Sequence, residues 1–285
     1  MTNLSPLQSA PTAPTDPVLQ AAQQVLRVRP SPPRAWPTGT VSTTFDIEAP
    51  AGWPDGPRVP VTLHRRGEGP AALLVHGWQS QAADLMPLGD ALIAAGFSVW
   101  APDLPGHGHS GGRHLAIPQA ATALREIGRL AGPFALAIGH SYGGASLVHA
   151  LAQGLAVQRV VLLAAPTHYG QFVRLAARQR GLDAAQTEAL LARLHEVTGE
   201  HPDRIDMARQ AEALSAPALL MHSADDTVVP AAGLHAVAQR WRGARWHPLE
   251  GLGHFRLLDD PGVLQTIRRF AAESPPPAAL SAAAA

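Results

Sequence analysis

Ser141 lies in IGHSYGG (138–144), between FALAIGH, which reads as a strand, and a run from Tyr142 that reads as a helix. The G-x-S-x-G spacing from Gly139 to Gly143 suits a tight turn, because small residues on either side permit close backbone approach. Such a turn leaves the hydroxyl clear of the surface and aims the first N–H groups of the helix at it. This is an arrangement for nucleophilic attack on an acyl carbon, provided that a base takes the hydroxyl proton and an acid orients the base. The chain has 14 histidines, so type alone does not select the base. His254, in LEGLGHFRLLDDP, follows a strand-like run; His247 lies inside that run, ARWHPLE. MHSADDTVVP (221–230) offers two adjacent acids, Asp225 and Asp226. His107 and His109, in APDLPGHGHSGG, have no carboxylate or further histidine at ligand spacing, which argues against a metal site. With no cysteine in the chain, disulfides, thiolate metal sites and a Cys nucleophile are all excluded.

The elements that must position these residues follow a regular pattern. TVSTTFDIEA (40–49) and RVPVTLHRR (58–66) alternate as strands and flank a turn-rich stretch, so they read as an antiparallel pair. Short apolar runs at 71–76, 97–103, 134–140, 159–165, 217–223 and 244–250 then alternate with helical stretches near 82–95, 117–131, 142–153, 231–241 and 261–272. Strands alternating with helices imply a mostly parallel, eight-stranded sheet with helices on both faces. The alternation lapses from 168 to 215, which reads as helical and fairly polar. Residues 1–37 are rich in Pro, Ala, Ser and Thr and are expected to form a loose arm, with a short helix possible over 18–28. The division expected is therefore an arm at 1–37, a core at 38–167 and 216–273, an insertion at 168–215 and a frayed tail at 274–285.

The 22 basic and 22 acidic residues are scattered, so no electrostatic footprint points to nucleic acid. No apolar run approaches the roughly 20 residues of a membrane span. The N-terminus lacks the pattern of a signal peptide, and the default expectation is a cytoplasmic protein. Whether it is a monomer or a homodimer stays open.

Together the motifs resemble the α/β-hydrolase superfamily over roughly Thr40 to Ala272. LLVHGWQS (73–80) is similar to its oxyanion loop, and DLPGHGHS to a D-x-x-G-x-G-x-S loop that is read as scaffold. MHSADDTVVP is similar to its acid loop, with Ser223 where Gly is usual, and GLGH to its histidine loop. The resemblance implies Ser141 as nucleophile, His254 as base and Asp226, aligned on Val229-Pro230, as the acid. It also implies an oxyanion hole from the N–H groups of Trp78 and Tyr142, with no cofactor and no metal.

The chemistry so implied is that of a serine hydrolase, with carboxylic esters of a small molecule as the first expectation. Thioesters, C–C cleavage and acyl transfer use the same residues, and a non-catalytic binding protein of the same fold is the alternative from another class. The insertion at 168–215 occupies the place of the family's lid. Leu175, Leu182, Leu190, Leu191 and Leu194 would either line an acyl pocket or pack the lid onto the sheet. Arg174, Arg178, Arg180 and Arg193 would bind an acidic substrate or be solvated.

Overall fold

The computed structural model describes residues 16–29 and 31–273. The expectations for residues 1–15 and for the tail 274–285 lie outside that range. In chain order, α1 (Pro17–Leu26) precedes β1 (Val41–Glu48), β2 (Arg58–Arg66) and β3 (Ala71–Val75). A 3-10 turn leads into α2 (Met86–Ile93), followed by β4 (Ser98–Asp103), α3 (Ile117–Ala131), β5 (Leu136–His140), α4 (Tyr142–Ala152) and β6 (Val160–Leu163). Then come α5 (Tyr169–Gln179), α6 (Ala184–Thr198) and α7 (Met207–Ala211). The chain closes with β7 (Ala218–Ser223), α8 (Ala231–Arg240), β8 (Ala244–Leu249) and α9 (Pro261–Ala272).

The strands form one eight-stranded sheet in the order β1-β2-β4-β3-β5-β6-β7-β8. β2 pairs antiparallel with both β1 and β4, and every pairing from β4 to β8 is parallel. Alternate residues of each strand feed opposite faces. Leu73, Val75, Val160 and Leu162 belong to one apolar layer, with Leu124 and Ile127 of α3 and Leu147 and Val148 of α4. Leu74, Ile138, Val161 and Leu163 belong to the other, with Leu88 and Leu92 of α2 and Val263, Ile267 and Phe270 of α9. Burial on both faces is why these strands read as continuous apolar runs rather than as alternation.

The strand order reverses at β3. The chain leaves β3 for β4 through α2 on one face, then returns to β5 through α3 on the other. The C-terminal ends of β3 and β5 therefore open onto a crevice that no crossover covers, the usual place for a ligand in an open α/β sheet.

One expectation needs correcting. The short helix expected within 18–28 is present as α1, but it is packed down and not part of a loose arm. Asp16 accepts the Val18 N–H at 2.9 Å and Pro17 opens the helix, so α1 starts with a proper cap. Its Ala21, Ala22, Val25 and Leu26 are buried, and it packs chiefly on α6. Val28 N–H donates to the Arg113 carbonyl at 2.8 Å and Leu115 N–H to that of Leu26 at 2.8 Å. Spacing at 18, 21, 22, 25 and 26 makes one apolar face, and the insertion supplies the surface that covers it.

Of the two alternatives for the leucines of the insertion, packing holds for three. Leu190, Leu191 and Leu194 are wholly buried and pack the helices together. Leu175 is exposed. Arg174 pairs with Asp203 and Glu188, and Arg193 with Glu196, so those two cations are already neutralised. No helix among the described residues is long and apolar enough to cross a membrane.

Candidate active site

Ser141 sits between β5 and α4 at φ 51°, ψ −125°. A non-glycine residue there carries roughly 1–3 kcal/mol of backbone strain, held in place by its surroundings. Those surroundings require glycine. A Cβ on Gly143 would collide with the carbonyl oxygens of Val75 and His76, and one on Gly139 with the backbone of Gly143 and Gly144. One on Gly77 would stand 3.1 Å from the Ser141 Cβ. The elbow and the loop after β3 are thus pressed together, backbone to backbone.

Ser141, His254 and Asp226 come from three loops at the same end of the sheet. Ser141 Oγ donates to His254 Nε2 at 2.9 Å. His254 Nδ1 donates to Asp226 Oδ2 at 2.7 Å. Asp226 Oδ1 accepts the N–H groups of Val228 at 2.8 Å and Val229 at 2.9 Å. Burial alone would push the Asp226 carboxyl up, but hydrogen bonds from Val229, His254 and Val228 outweigh it and hold the group below the ordinary carboxylate value. It is a fixed anion behind an imidazole whose other nitrogen faces a hydroxyl.

Asp225 does different work. Its carboxylate accepts from the Ser223 hydroxyl and from Gly253 N–H at 3.2 Å, while Ser223 Oγ accepts Leu252 N–H at 3.1 Å. Ser223, which replaces the usual glycine, is thus a bolt between the acid loop and the histidine loop. His247 lies on β8 opposite Met221, away from Ser141.

Trp78 N–H is donated to no acceptor among the described residues. Tyr142 N–H belongs to the first turn of α4, where no intrahelical partner exists. His76 and His107 shape this loop. Leu104 N–H donates to His76 Nε2 at 2.9 Å, and Gln79 N–H to His107 Nε2 at 3.0 Å. Burial pushes both imidazoles down, His107 to about 3, so both stay neutral acceptors. His140, buried beside the relay, is lowered to about 4 by burial and donates Nε2–H to the His254 carbonyl at 2.9 Å.

His109 does have ligand-type neighbours that its own loop hides. His64 of β2 and Asp103 of β4 lie beside it. Asp103 accepts from His64 Nε2 at 3.0 Å, from Ala82 N–H at 2.8 Å and from His109 N–H at 2.8 Å. Burial opposes ionisation, yet these bonds, His64 first, hold the carboxyl at about 2. The trio is a hydrogen-bonded hub in which the oxygens of Asp103 are already engaged.

A cavity of about 230 Å³ opens over Ser141. Its walls are Trp78, Tyr142, Ile117, Tyr169, Phe172, Ile205, Met207, Val228 and Phe255, with Gln210 and His168 among the few polar groups. The insertion therefore does contribute to the walls, through its aromatic and short-helix residues. The five leucines singled out from the sequence are not among them.

A mostly parallel sheet carrying a strained serine, an aspartate and a histidine in that chain order defines an α/β hydrolase. The sequence model of the alpha/beta hydrolase family matches residues 72–264, and the chain belongs to that family. It is similar to the pimeloyl-(acyl-carrier protein) methyl ester esterase of Xanthomonas campestris pv. campestris, at 30% identity over 252 residues, covering 73% of this chain and 98% of that protein. A 101-residue stretch is 37% identical to the protein of the same name from Xylella fastidiosa, covering 35% of this chain and 38% of that protein. Among solved structures, an esterase of Pyrococcus furiosus superposes with a TM-score of 0.62 at 18% identity, covering 85% of this chain and 98% of that one. These structures show the fold.

Proposed function

We propose that this protein is a serine carboxylesterase acting on a small ester with an apolar acyl part. The observation that carries the proposal is the unbroken hydrogen-bond chain from Ser141 Oγ through His254 to Asp226, mounted on a strained turn beneath an apolar cavity. His254 Nε2 takes the Ser141 proton as Oγ attacks the acyl carbon. The oxyanion forms against the N–H groups of Trp78 and Tyr142. His254 then gives its proton to the departing alkoxide, leaving an acyl-serine and a free alcohol. Water, deprotonated by the same nitrogen, attacks the acyl-serine and releases the acid. Asp226 stays ionised throughout and stabilises the imidazolium. The curated relatives are named as methyl ester esterases, which favours esters over the thioester, C–C and transfer readings of the same relay.

The test is labelling by a fluorophosphonate probe, followed by turnover of a p-nitrophenyl ester series. Wild type labels; Ser141→Ala and His254→Ala do not, and each lowers kcat by about 10³-fold or more. A folded wild-type protein that neither labels nor turns over any ester refutes the assignment.

A further inference from the structure

His222 has no part in the relay described above, yet it touches the relay's anion. It is the penultimate residue of β7, and its side chain is wholly buried, as is that of Asp226. His222 Nε2 lies 2.9 Å from Asp226 Oδ2 and 2.9 Å from the carbonyl oxygen of Val229. Carboxylate and carbonyl oxygens only accept, so Nε2 carries the proton and shares it between them. Nδ1, buried, has no partner among the described residues. An imidazolium would leave an N–H stranded there, so the ring is the neutral Nε2–H tautomer. Burial pushes it further from protonation, against the pull of Asp226.

We propose that His222 is a positioning residue of the relay: a second, neutral imidazole that fixes the Asp226 carboxylate and limits the basicity it confers on His254. This rests on the esterase reading above. Oδ2 then takes one N–H from each histidine, and Oδ1 takes those of Val228 and Val229. With four donors the carboxylate cannot rotate without breaking several bonds. Its charge is also spread, because each donor stabilises the anion. Without the His222 donor, the charge on Oδ2 falls on His254 alone and stabilises its protonated form more strongly.

The other ionisable groups around the pair do not substitute for it. His140, whose ring centre is 5.0 Å from that of His254, spends Nε2–H on the His254 carbonyl. His76 lies beyond His140, with its nitrogens on Gly77 and Leu104. Asp225 faces the opposite way, onto Ser223 and Gly253.

The experiment compares wild type, His222→Leu and His222→Gln. Gln places an N–H near the position of Nε2; Leu fills the space without one. The acid limb of kcat/KM against pH reports the protonation of the base in the free enzyme. For His222→Leu it moves to higher pH, and kcat falls by about tenfold with KM little changed. His222→Gln recovers both. A folded His222→Leu enzyme with the wild-type limb and rate reduces His222 to packing and overturns the proposal. A measurement free of turnover guards against misfolded variants. Imidazole 15N shifts of the wild type at pH 7 must show His222 protonated at Nε2 and bare at Nδ1; any other state overturns it. Should the wild type fail to hydrolyse esters while those shifts hold, the esterase reading has failed and the tautomer assignment has not.

Discussion

Asp225 and Asp226 are adjacent in sequence but have separate roles in space, because successive residues of a tight turn point to different sides. Asp226 faces inward, into two imidazoles and two backbone N–H groups. Asp225 is on the surface, where the Ser223 hydroxyl, ahead of Gly253 N–H, holds its carboxyl below the usual value. Asp226→Asn should therefore lower kcat by about 10⁴-fold, since the amide no longer sets the tautomer or balances the imidazolium. Asp225→Asn should leave kcat within about tenfold, since it loosens a loop without touching the base. Kinetics of both variants on one p-nitrophenyl ester decide the matter, and the reverse order would falsify the assignment of Asp226. At this scale the motif residues were legible because their chemistry imposes local spacing: glycine around Ser141, Val-Pro after the acid, G-x-G before His254. His222 was not. Its signal, a histidine at a strand end four residues before an acid, has no meaning until the turn folds that acid back, and 14 histidines dilute it. His64 was hidden for a similar reason, since it reaches Asp103 from a strand 39 residues earlier, whereas Asp103 and His109 share one loop motif six residues apart.

The central strands β3 to β7 were legible because burial on both faces writes each as an apolar run, β1 and β2 because they alternate, and the helices because one face must match the sheet. What the sequence concealed is which helix covers which. α1 carries a clear apolar face, but its proline-rich flanks suggested looseness, and its partner α6 lies more than 150 residues on. Leu190, Leu191 and Leu194 are committed to this packing, so residues with larger, rigid side chains such as Tyr169 and Phe172 are left to wall the cavity. If α1 is an integral layer, then Leu26, at 2% exposure, is a core residue. Leu26→Ala should destabilise the fold by about 2–5 kcal/mol, the cost of lost transfer energy plus a cavity. A loosely attached arm would give less than about 0.5 kcal/mol. Urea unfolding of the two proteins separates these values.

For the molecule as a whole, the cluster of imidazoles that shapes the site also sets its tolerance of acid. His76, His107, His140 and His222 are buried and neutral, and burial is the first cause of the lowered value in each. Exposed in the unfolded chain, each takes up a proton near pH 6.5; folded, His140 resists until about 4 and His107 until about 3. Between those limits the unfolded state binds more protons, so stability rises with pH and is lost on acidification from about 6.5 downward. At pH 5 His107 and His140 should each cost about 2 kcal/mol relative to pH 7. Asp226 and Asp103 act later. Their carboxyls are depressed, so their contribution is intact above about 4 and disappears only below it, for Asp103 down to about 2. Acid unfolding should thus begin well above the carboxylate range. Urea midpoints at pH 7 and pH 5 measure this directly in wild type and His107→Gln. Gln keeps an acceptor for Gln79 N–H but has nothing to titrate, so the variant's loss between the two pH values should be smaller by about 2 kcal/mol. Equal losses in the two proteins would mean that His107 is protonated in the folded state, and that the loop carrying Trp78 is held by a cation instead of by a neutral acceptor.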